Sequence, residues 1–346
     1  MAHRYRAMGA LAKGLTMGVF GLWVIGTAAW HAAIRVMKDS CLTGEVLPKR
    51  LLPRQIRRRN RLMPPITAID KATAPATVEA ALCFILPQLE KPLFHSAAYT
   101  GGDPKIFFKV EDRTVKITDI RNIPFQPSTE REGFELVVSP TAVADLNNDE
   151  AVVNAYYPEI EALLKKRFGA TRIVIFDATR RSDSGAGAAN PDGRRGPAIR
   201  VHVDYTQKSG PQRLKDTVGI AEAERLLASG VRVIQVNVWR PIKGPVQRAP
   251  LAVADASSIA RHELVATDQV FPDRIGEIYQ LAYGPGQRWY YASGMKREEV
   301  LLIAGWDSTD PDGSRSAPHG AFQLPNQDPK APARESIEIR TFVIIE

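Results

Sequence analysis

Cysteine is nearly absent from this chain: Cys41 and Cys83 are the only two in 346 residues. Two distant thiols exclude a disulfide framework and a CxxC metal site, and they favour a reducing compartment. Histidine is also scarce, at six, so any site that needs imidazole has few donors to choose from. Positive charge is sparse where it would matter for nucleic acid. Residues 1–61 hold 12 of the 46 Lys and Arg but only Asp39 and Glu45 of the 38 acids, so the net charge of +8 is concentrated there and the remainder carries a small acidic excess. A nucleic-acid partner for the body of the chain is therefore excluded on charge.

Long apolar runs are missing as well, with one exception. "GLTMGVFGLWVIGTAAWHAAI", residues 14–34, has no formal charge over 21 residues, close to the length that spans a bilayer. Three Lys and Arg precede it and nine follow it, up to Arg61, an asymmetry that places the body on the cytoplasmic side of a membrane anchored by this segment. Residues 1–40 are read as a membrane or targeting segment, with an upstream translation start as the bland alternative. Residues 41–72, including "PKRLLPRQIRRRNRLMPP", are read as a basic, Pro-punctuated linker suited to anionic headgroups or simply to water. Residues 73–346 form the globular body.

Within the body, "TVEAALCFILPQL" predicts a helix that Pro87 ends, and "EAVVNAYYPEIEALLKKRF" predicts a clear amphipathic helix over 150–168 with Gly169 as its stop. "IAEAERLLAS" predicts one more. The rest reads as short strands, among them "KIFFKV", "TVKIT", "FELVV", "RIVIFD", "AIRVHVDY", "RVIQVNVW", "PLAVAD", "GEIYQLAY", "EVLLIAG" and "ESIEIRTFVII". Many short strands separated by Gly, Pro and Asp turns favour a mainly β sandwich or barrel with flanking helices. "RRSDSGAGAANPDGRRG", residues 180–196, reads as an exposed loop, either a lid or plain surface.

The chemistry is concentrated in "AIRVHVDYT". Strand alternation puts Arg200, His202 and Asp204 on one face and Val201 and Val203 on the other. A His and a carboxylate from one strand, with one more distant His, make the facial triad that holds non-haem Fe(II) and leaves open positions. Chance alone supplies roughly 0.3 His-x-Asp pairs in a chain of this make-up, so a third donor is required. His262 and His319 are the candidates. After His319, the strand "ARESIEIRTF" places Arg334, Ser336, Glu338 and Arg340 on one face and Ile337 and Ile339 on the other. An Arg-x-Ser pair suits the far carboxylate of a dicarboxylate; an Arg paired with Glu335 or Glu338 for structure is the competing reading. Asn237, Trp239 and Arg240 are further candidates for the pocket wall, with Arg240 contacting co-substrate or substrate, against packing of Trp239 and pairing of Arg240. Tyr290 and Tyr291 read as core and rim aromatics and Asp307 as a turn residue.

"RVHVDYT", "VNVWRPIKGPVQRAPLAVAD", "QRWYYASGM", "PHGAF" and "ARESIEIR", in that order, resemble the AsaB-like hydroxylase/desaturase family, which includes gibberellin desaturase-like enzymes and is related to cephalosporin 7-alpha-methoxylase components. The resemblance runs from about residue 73 to the C-terminus. It implies a double-stranded β-helix (jelly roll) and Fe(II)- and 2-oxoglutarate-dependent oxidation, with molecular oxygen, of a small organic substrate by hydroxylation or desaturation. It implies His202, Asp204 and His319 as metal ligands and Arg334 of the Arg-Glu-Ser run as the co-substrate anchor, with Ser336 beside it; Arg340, on the same strand face, is the alternative anchor. The chain departs from the family in Gly320, Ala333 and Ala292-Ser293. With a spacing of 115 from Asp204 to His319, a large insertion is expected to loop out between barrel strands. Two rival readings are a non-catalytic partner protein on the same barrel and a metal-dependent hydrolase.

Overall fold

A computed structural model describes residues 76–346; the apolar run at 14–34 and the basic linker expected over 41–72 lie outside the described residues. In chain order the elements are β1 (Thr77–Ile85), β2 (Leu93–His95), α1 (Ala97–Thr100), β3 (Lys105–Ile106), β4 (Val110–Asp119), β5 (Phe134–Val138), α2 (Asp149–Ala151), α3 (Tyr157–Phe168), β6 (Arg172–Ser182), β7 (Ala188–Asn190), β8 (Gly193–Arg195), β9 (His202–Val203), α4 (Ser209–Val218) and α5 (Ile220–Ala228). There follow β10 (Arg232–Pro241), β11 (Leu251–Ala254), β12 (Leu264–Val270), β13 (Ile275–Leu281), β14 (Trp289–Tyr291), β15 (Glu299–Asp307), β16 (His319–Ala321) and β17 (Glu335–Ile345). The architecture is mainly β with few helices, a jelly-roll type core as expected. A curled ten-stranded sheet, β1-β4-β14-β11-β16-β9-β13-β12-β2-β3, faces a five-stranded sheet, β5-β15-β10-β17-β6.

The two sheets bury a shared core. Leu136, Trp239, Leu301 and Ile303 from the smaller sheet meet Leu251, Val253 and Tyr290 from the larger. The outer face of the smaller sheet carries Val236, Val238, Ile337 and Ile339, and is covered by the helical segment through Tyr156, Ile160 and Leu164. Each of those three side chains is fully buried, worth roughly 1.5–3 kcal/mol apiece in apolar burial. α2 and α3 are joined by a π-helical turn, Val152–Tyr156, and the run ends at Gly169 in the left-handed region (φ 65°), as the sequence predicts. At the far end of the barrel α4 and α5 place Leu214 and Leu226 against Phe342, Ile344 and Trp306, closing that end.

Three expectations change. "TVEAALCFILPQL" is not a helix: Ala80, Leu82 and Phe84 are buried at every second residue, and β1 pairs with β4 over nine positions, so non-local pairing overrides the helix-forming Glu, Ala and Leu content. Residues 180–196 are not an open loop: they complete β6 and form the β7–β8 hairpin, with the Asn190 side chain accepting from Arg180 N at 2.8 Å and donating to Arg180 O at 2.9 Å. The span from Asp204 to His319 holds no single large insertion; it is filled by the α4–α5 pair, the β12–β13 hairpin and strands of both sheets. Among the described residues no helix is long and apolar enough to cross a membrane.

Candidate functional site

β9 is only two residues long, wedged between β16 and β13. His202 on β9 and His319 on β16 lie directly opposite one another, with ring centroids 4.7 Å apart. Val201 packs away from them into the outer core. Gly320 faces that same side: a Cβ there would sit 2.9 Å from Val201 Cγ1. The departure at position 320 is thus a packing requirement for close approach of the two strands, turned away from the histidines. Just past β9, Thr206 Oγ1 donates to Glu277 at 2.6 Å and Ser209 Oγ to the Glu277 carbonyl at 2.6 Å, fixing the turn that presents Asp204.

His202, Asp204 and His319 offer ligand atoms that all lie within 4.8 Å of one another. Nδ1 of His202 is 2.8 Å from the Arg200 carbonyl and Nδ1 of His319 is 3.1 Å from the Ala317 carbonyl. A carbonyl only accepts, so in each neutral ring Nδ1 carries the proton and Nε2 keeps its lone pair for a metal. Burial, then the charge of His202, lowers the His319 pKa, which keeps that ring neutral. Burial works to raise the Asp204 carboxyl, but Arg340 and His202 together outweigh it and hold it well below the usual carboxylate range. Two imidazoles that turn Nε2 to the site and one carboxylate are the donor set that Fe(II) takes. His262 sits in the turn Arg261–Glu263 and is not part of this cluster.

Strand register orders the inner face of the smaller sheet into levels. Arg340 of β17 lies opposite Asn237 of β10, Glu338 opposite Trp239, and Ser336 opposite Pro241; across β6, Ser336 lies opposite Arg181 and Arg340 opposite Asp177. Arg340 is spent on carboxylates: Asp177 at 2.7 Å, Glu338 at 2.8 Å and Asp204 at 3.4 Å. The expectation that it contacts co-substrate is replaced by a role beside Asp204, where its cation keeps the carboxylate ionised.

Arg240 is a second correction. It lies on the outer face of β10, where Nε donates to Tyr156 Oη at 2.7 Å, Nη1 to the Arg297 carbonyl at 2.5 Å and Nη2 to the Ser139 carbonyl at 2.7 Å. Strand alternation alone separates Arg240 from Asn237 and Trp239, so a pocket containing all three is geometrically excluded.

Arg334 behaves differently. It is 3% exposed, its guanidinium lies 5.7 Å from the Trp239 ring centroid, and Nε and Nη2 are buried with no hydrogen-bond partner. Burial first, and neighbouring Arg181 second, push its pKa down to about 10. Burial, opposed in part by Glu338, does the same to Arg181, whose Nη1 donates to the Gly196 carbonyl at 3.0 Å. Arg181 is absent from the sequence reading because its place beside Ser336 depends on the β6–β17 register, which spans some 150 residues of chain. Ser336 is buried on the same inner face. Asp307 is more than a turn residue: it is buried and ion-paired with Arg232 at 2.7 Å and Arg315 at 2.9 Å.

A family profile described as an oxidoreductase/YMDC permease-like domain matches residues 82–344. The hydroxylase/desaturase efuI of Hormonema carpetanum is 31% identical over 259 residues, 69% of this chain and 85% of that protein. The Fe(II)/2-oxoglutarate-dependent dioxygenase nvfI of Aspergillus novofumigatus is 30% identical over 275 residues, 77% of this chain and 96% of that protein. This chain belongs to the family of Fe(II)/2-oxoglutarate-dependent hydroxylases and desaturases. A solved structure of the iron and alpha-ketoglutarate-dependent endoperoxidase NvfI matches with a TM-score of 0.67 at 26% identity, covering 78% of this chain and 98% of that one. The chain is thus an oxidoreductase of the non-haem iron type, using Fe(II), 2-oxoglutarate and molecular oxygen on a small molecule. The side chains fit that family. The buried Arg334 guanidinium, with two N–H donors unpartnered, has the chemistry to take a carboxylate, and it leans over Trp239, one register step from the level that meets Asp204.

Proposed function

We propose that the barrel is a hydroxylase or desaturase of the AsaB-like branch, acting on a C–H bond of a small, largely apolar, secondary-metabolite-like molecule. His202 and His319 through Nε2, and Asp204 through its carboxylate, would hold the iron. Arg334 and Ser336 would hold the distal carboxylate of 2-oxoglutarate. When bound, iron and 2-oxoglutarate together supply the activation of oxygen and the oxidising power. The chain's own contribution is placement. Arg340 keeps Asp204 anionic, the Arg200 and Ala317 carbonyls hold the two rings in the ligating tautomer, and Trp239 walls the space between triad and anchor with an apolar face that excludes water. Arg181, across from Ser336, adds a second positive charge beside Arg334.

The observation that carries this reading is the pair of orphaned donors on buried Arg334. Hydrolysis at the same triad does not call for a buried, incompletely paired cation, whereas a dicarboxylate co-substrate does. Titration of the metal-loaded protein with 2-oxoglutarate, followed by succinate release on adding oxygen, tests it. Tight 2-oxoglutarate binding that depends on Arg334 supports the assignment, and a protein that binds metal but ignores 2-oxoglutarate refutes it. The domain boundary near residue 73 and a membrane tether through residues 14–34 belong to the same proposal. Their support is the charge-free run and the basic linker, and deletion of residues 1–72 is expected to release the protein from membranes with 2-oxoglutarate affinity retained. A truncated protein that stays membrane-bound contradicts the tether.

A further inference from the structure

We propose that Asn237 and Gln235 form a buried amide relay that restricts Asp204 to binding metal through one carboxylate oxygen, and that Gly305 is the space the relay needs. The inference rests on the triad being the iron site. Asn237 Nδ2 donates to Asp204 Oδ2 at 2.5 Å. A carboxylate only accepts, so the amide nitrogen must face it and the Asn237 carbonyl must face away. There it accepts from Gln235 Nε2 at 2.5 Å. The other carboxylate oxygen, Oδ1, faces His202 Nε2 at 3.6 Å and Arg340 at 3.4 Å, the side on which the imidazole lone pairs converge.

Gln235 and Asn237 are 0% and 1% exposed, on a strand face whose next inward residues are Val233 and Trp239. Apolar side chains would fill the same space, and buried amides are unfavourable unless paired; Asn237 has both amide atoms engaged, while Gln235 gives its Nε2 to Asn237 and keeps Oε1 without a partner. The one titratable group their chain of hydrogen bonds reaches is the Asp204 carboxylate. Gln235 is in turn confined by β15: a Cβ at Gly305 would lie 1.9 Å from Gln235 Oε1. An alanine there must displace the amide that aims Asn237. The consequence is chemical. A carboxylate free to swing could place both oxygens on the metal and fill a coordination position that a two-point chelator and oxygen both require. With Oδ2 engaged by Asn237, Oδ1 alone is offered. Asn237 and Gln235 are positioning residues that act through Asp204.

The test is Mn(II) binding to metal-free protein, read by the loss of the free-ion electron paramagnetic resonance signal, together with the visible spectrum of the Co(II)-loaded protein, which reports coordination number. Asn237→Ala should weaken Mn(II) about 10- to 100-fold, the usual consequence of losing a hydrogen-bond partner of a metal ligand, and should change the Co(II) spectrum toward higher coordination. Gly305→Ala should shift both readouts the same way. If Asn237→Ala does not fold, the double variant Gln235→Met/Asn237→Leu removes both amides at similar volume and should show the same loss. Asp204→Ala, measured alongside, separates the two levels of the argument. Full-strength Mn(II) binding by Asp204→Ala overturns the iron-site assignment and the relay with it. Weakened binding by Asp204→Ala, with a folded Asn237 variant within twofold of wild type and an unchanged Co(II) spectrum, overturns the relay alone.

Discussion

Two buried arginines of the smaller sheet, Arg240 on β10 and Arg334 just ahead of β17, show how one residue type can serve opposite ends. Arg240 faces outward into the layer under α3, and all three nitrogens of its guanidinium meet oxygen acceptors within 2.7 Å. Arg334 faces inward, equally buried, with two nitrogens unpartnered. A guanidinium taken from water without partners is unfavourable by several kcal/mol. Arg240 recovers that cost within the fold, whereas Arg334 recovers it only in part, over the Trp239 ring. The outer layer therefore holds an arginine whose donors are satisfied within the fold, and the inner face holds one whose donors are left for the ligand proposed above.

The sharpest break of this comparison is removal of the triad. His202→Ala, Asp204→Ala and His319→Ala should each abolish or severely reduce Fe(II) binding by calorimetry under anaerobic conditions, while thermal unfolding of the metal-free protein moves little. A large loss of stability in all three would place them with Arg240 as structural residues. Next, Arg334→Ala should leave metal affinity nearly unchanged and raise the 2-oxoglutarate dissociation constant roughly thirty-fold to several-thousand-fold, corresponding to about 2–5 kcal/mol for a charge-assisted pair in a desolvated pocket. The same variant, without ligand, should be no less stable than wild type, because a buried unpaired cation has been removed. Arg334→Lys should recover only part of the affinity, since an ammonium lacks the planar fork.

Arg240→Met should do the reverse: stability to urea falls by about 2–4 kcal/mol because the Tyr156, Ser139 and Arg297 acceptors lose their donors, and the folded protein binds 2-oxoglutarate as wild type does. The smallest expected effect concerns Asp307, which is held in a buried ion pair with Arg232 and Arg315. Burial pushes its carboxyl up, but Arg232 and the Thr309 amide outweigh this and hold it below the usual carboxylate range. A folded-state pKa below the unfolded one means the stabilisation is complete above the ordinary carboxylate pKa and is lost as pH falls through the folded value. Asp307→Asn should cost about 1–3 kcal/mol at neutral pH and flatten the acid limb of the stability curve, with no change in 2-oxoglutarate affinity.

Much of the inner face was legible in the sequence because β17 is a clean period-2 strand: Ser336, Glu338 and Arg340 against Ile337 and Ile339 are separated in the structure as the alternation predicts. The same rule, applied to "QVNVWR", would have removed Arg240 from the pocket. What was not legible depends on pairing between distant strands. Arg181 meets Ser336 only through the β6–β17 register, β1 becomes a strand only because β4 is there to pair with it, and α4, with little apolar content beyond Leu214 and Val218, gives a weak periodic signal before Trp306 packs on it. Gln235 carries no motif at all; its significance appears only once Asn237 and Gly305 flank it.

The central claim is that iron held by His202, Asp204 and His319 lies within 2-oxoglutarate's reach of Arg334. Anaerobic addition of 2-oxoglutarate to the Fe(II)-loaded protein, followed by visible absorption, tests it most directly. A charge-transfer band should appear with wild type, vanish with His319→Ala at any 2-oxoglutarate concentration, and return with Arg334→Ala only at concentrations at least thirty-fold higher, the lower bound from about 2 kcal/mol. A band of full strength in His319→Ala, or one in Arg334→Ala that saturates at the wild-type concentration, would contradict it.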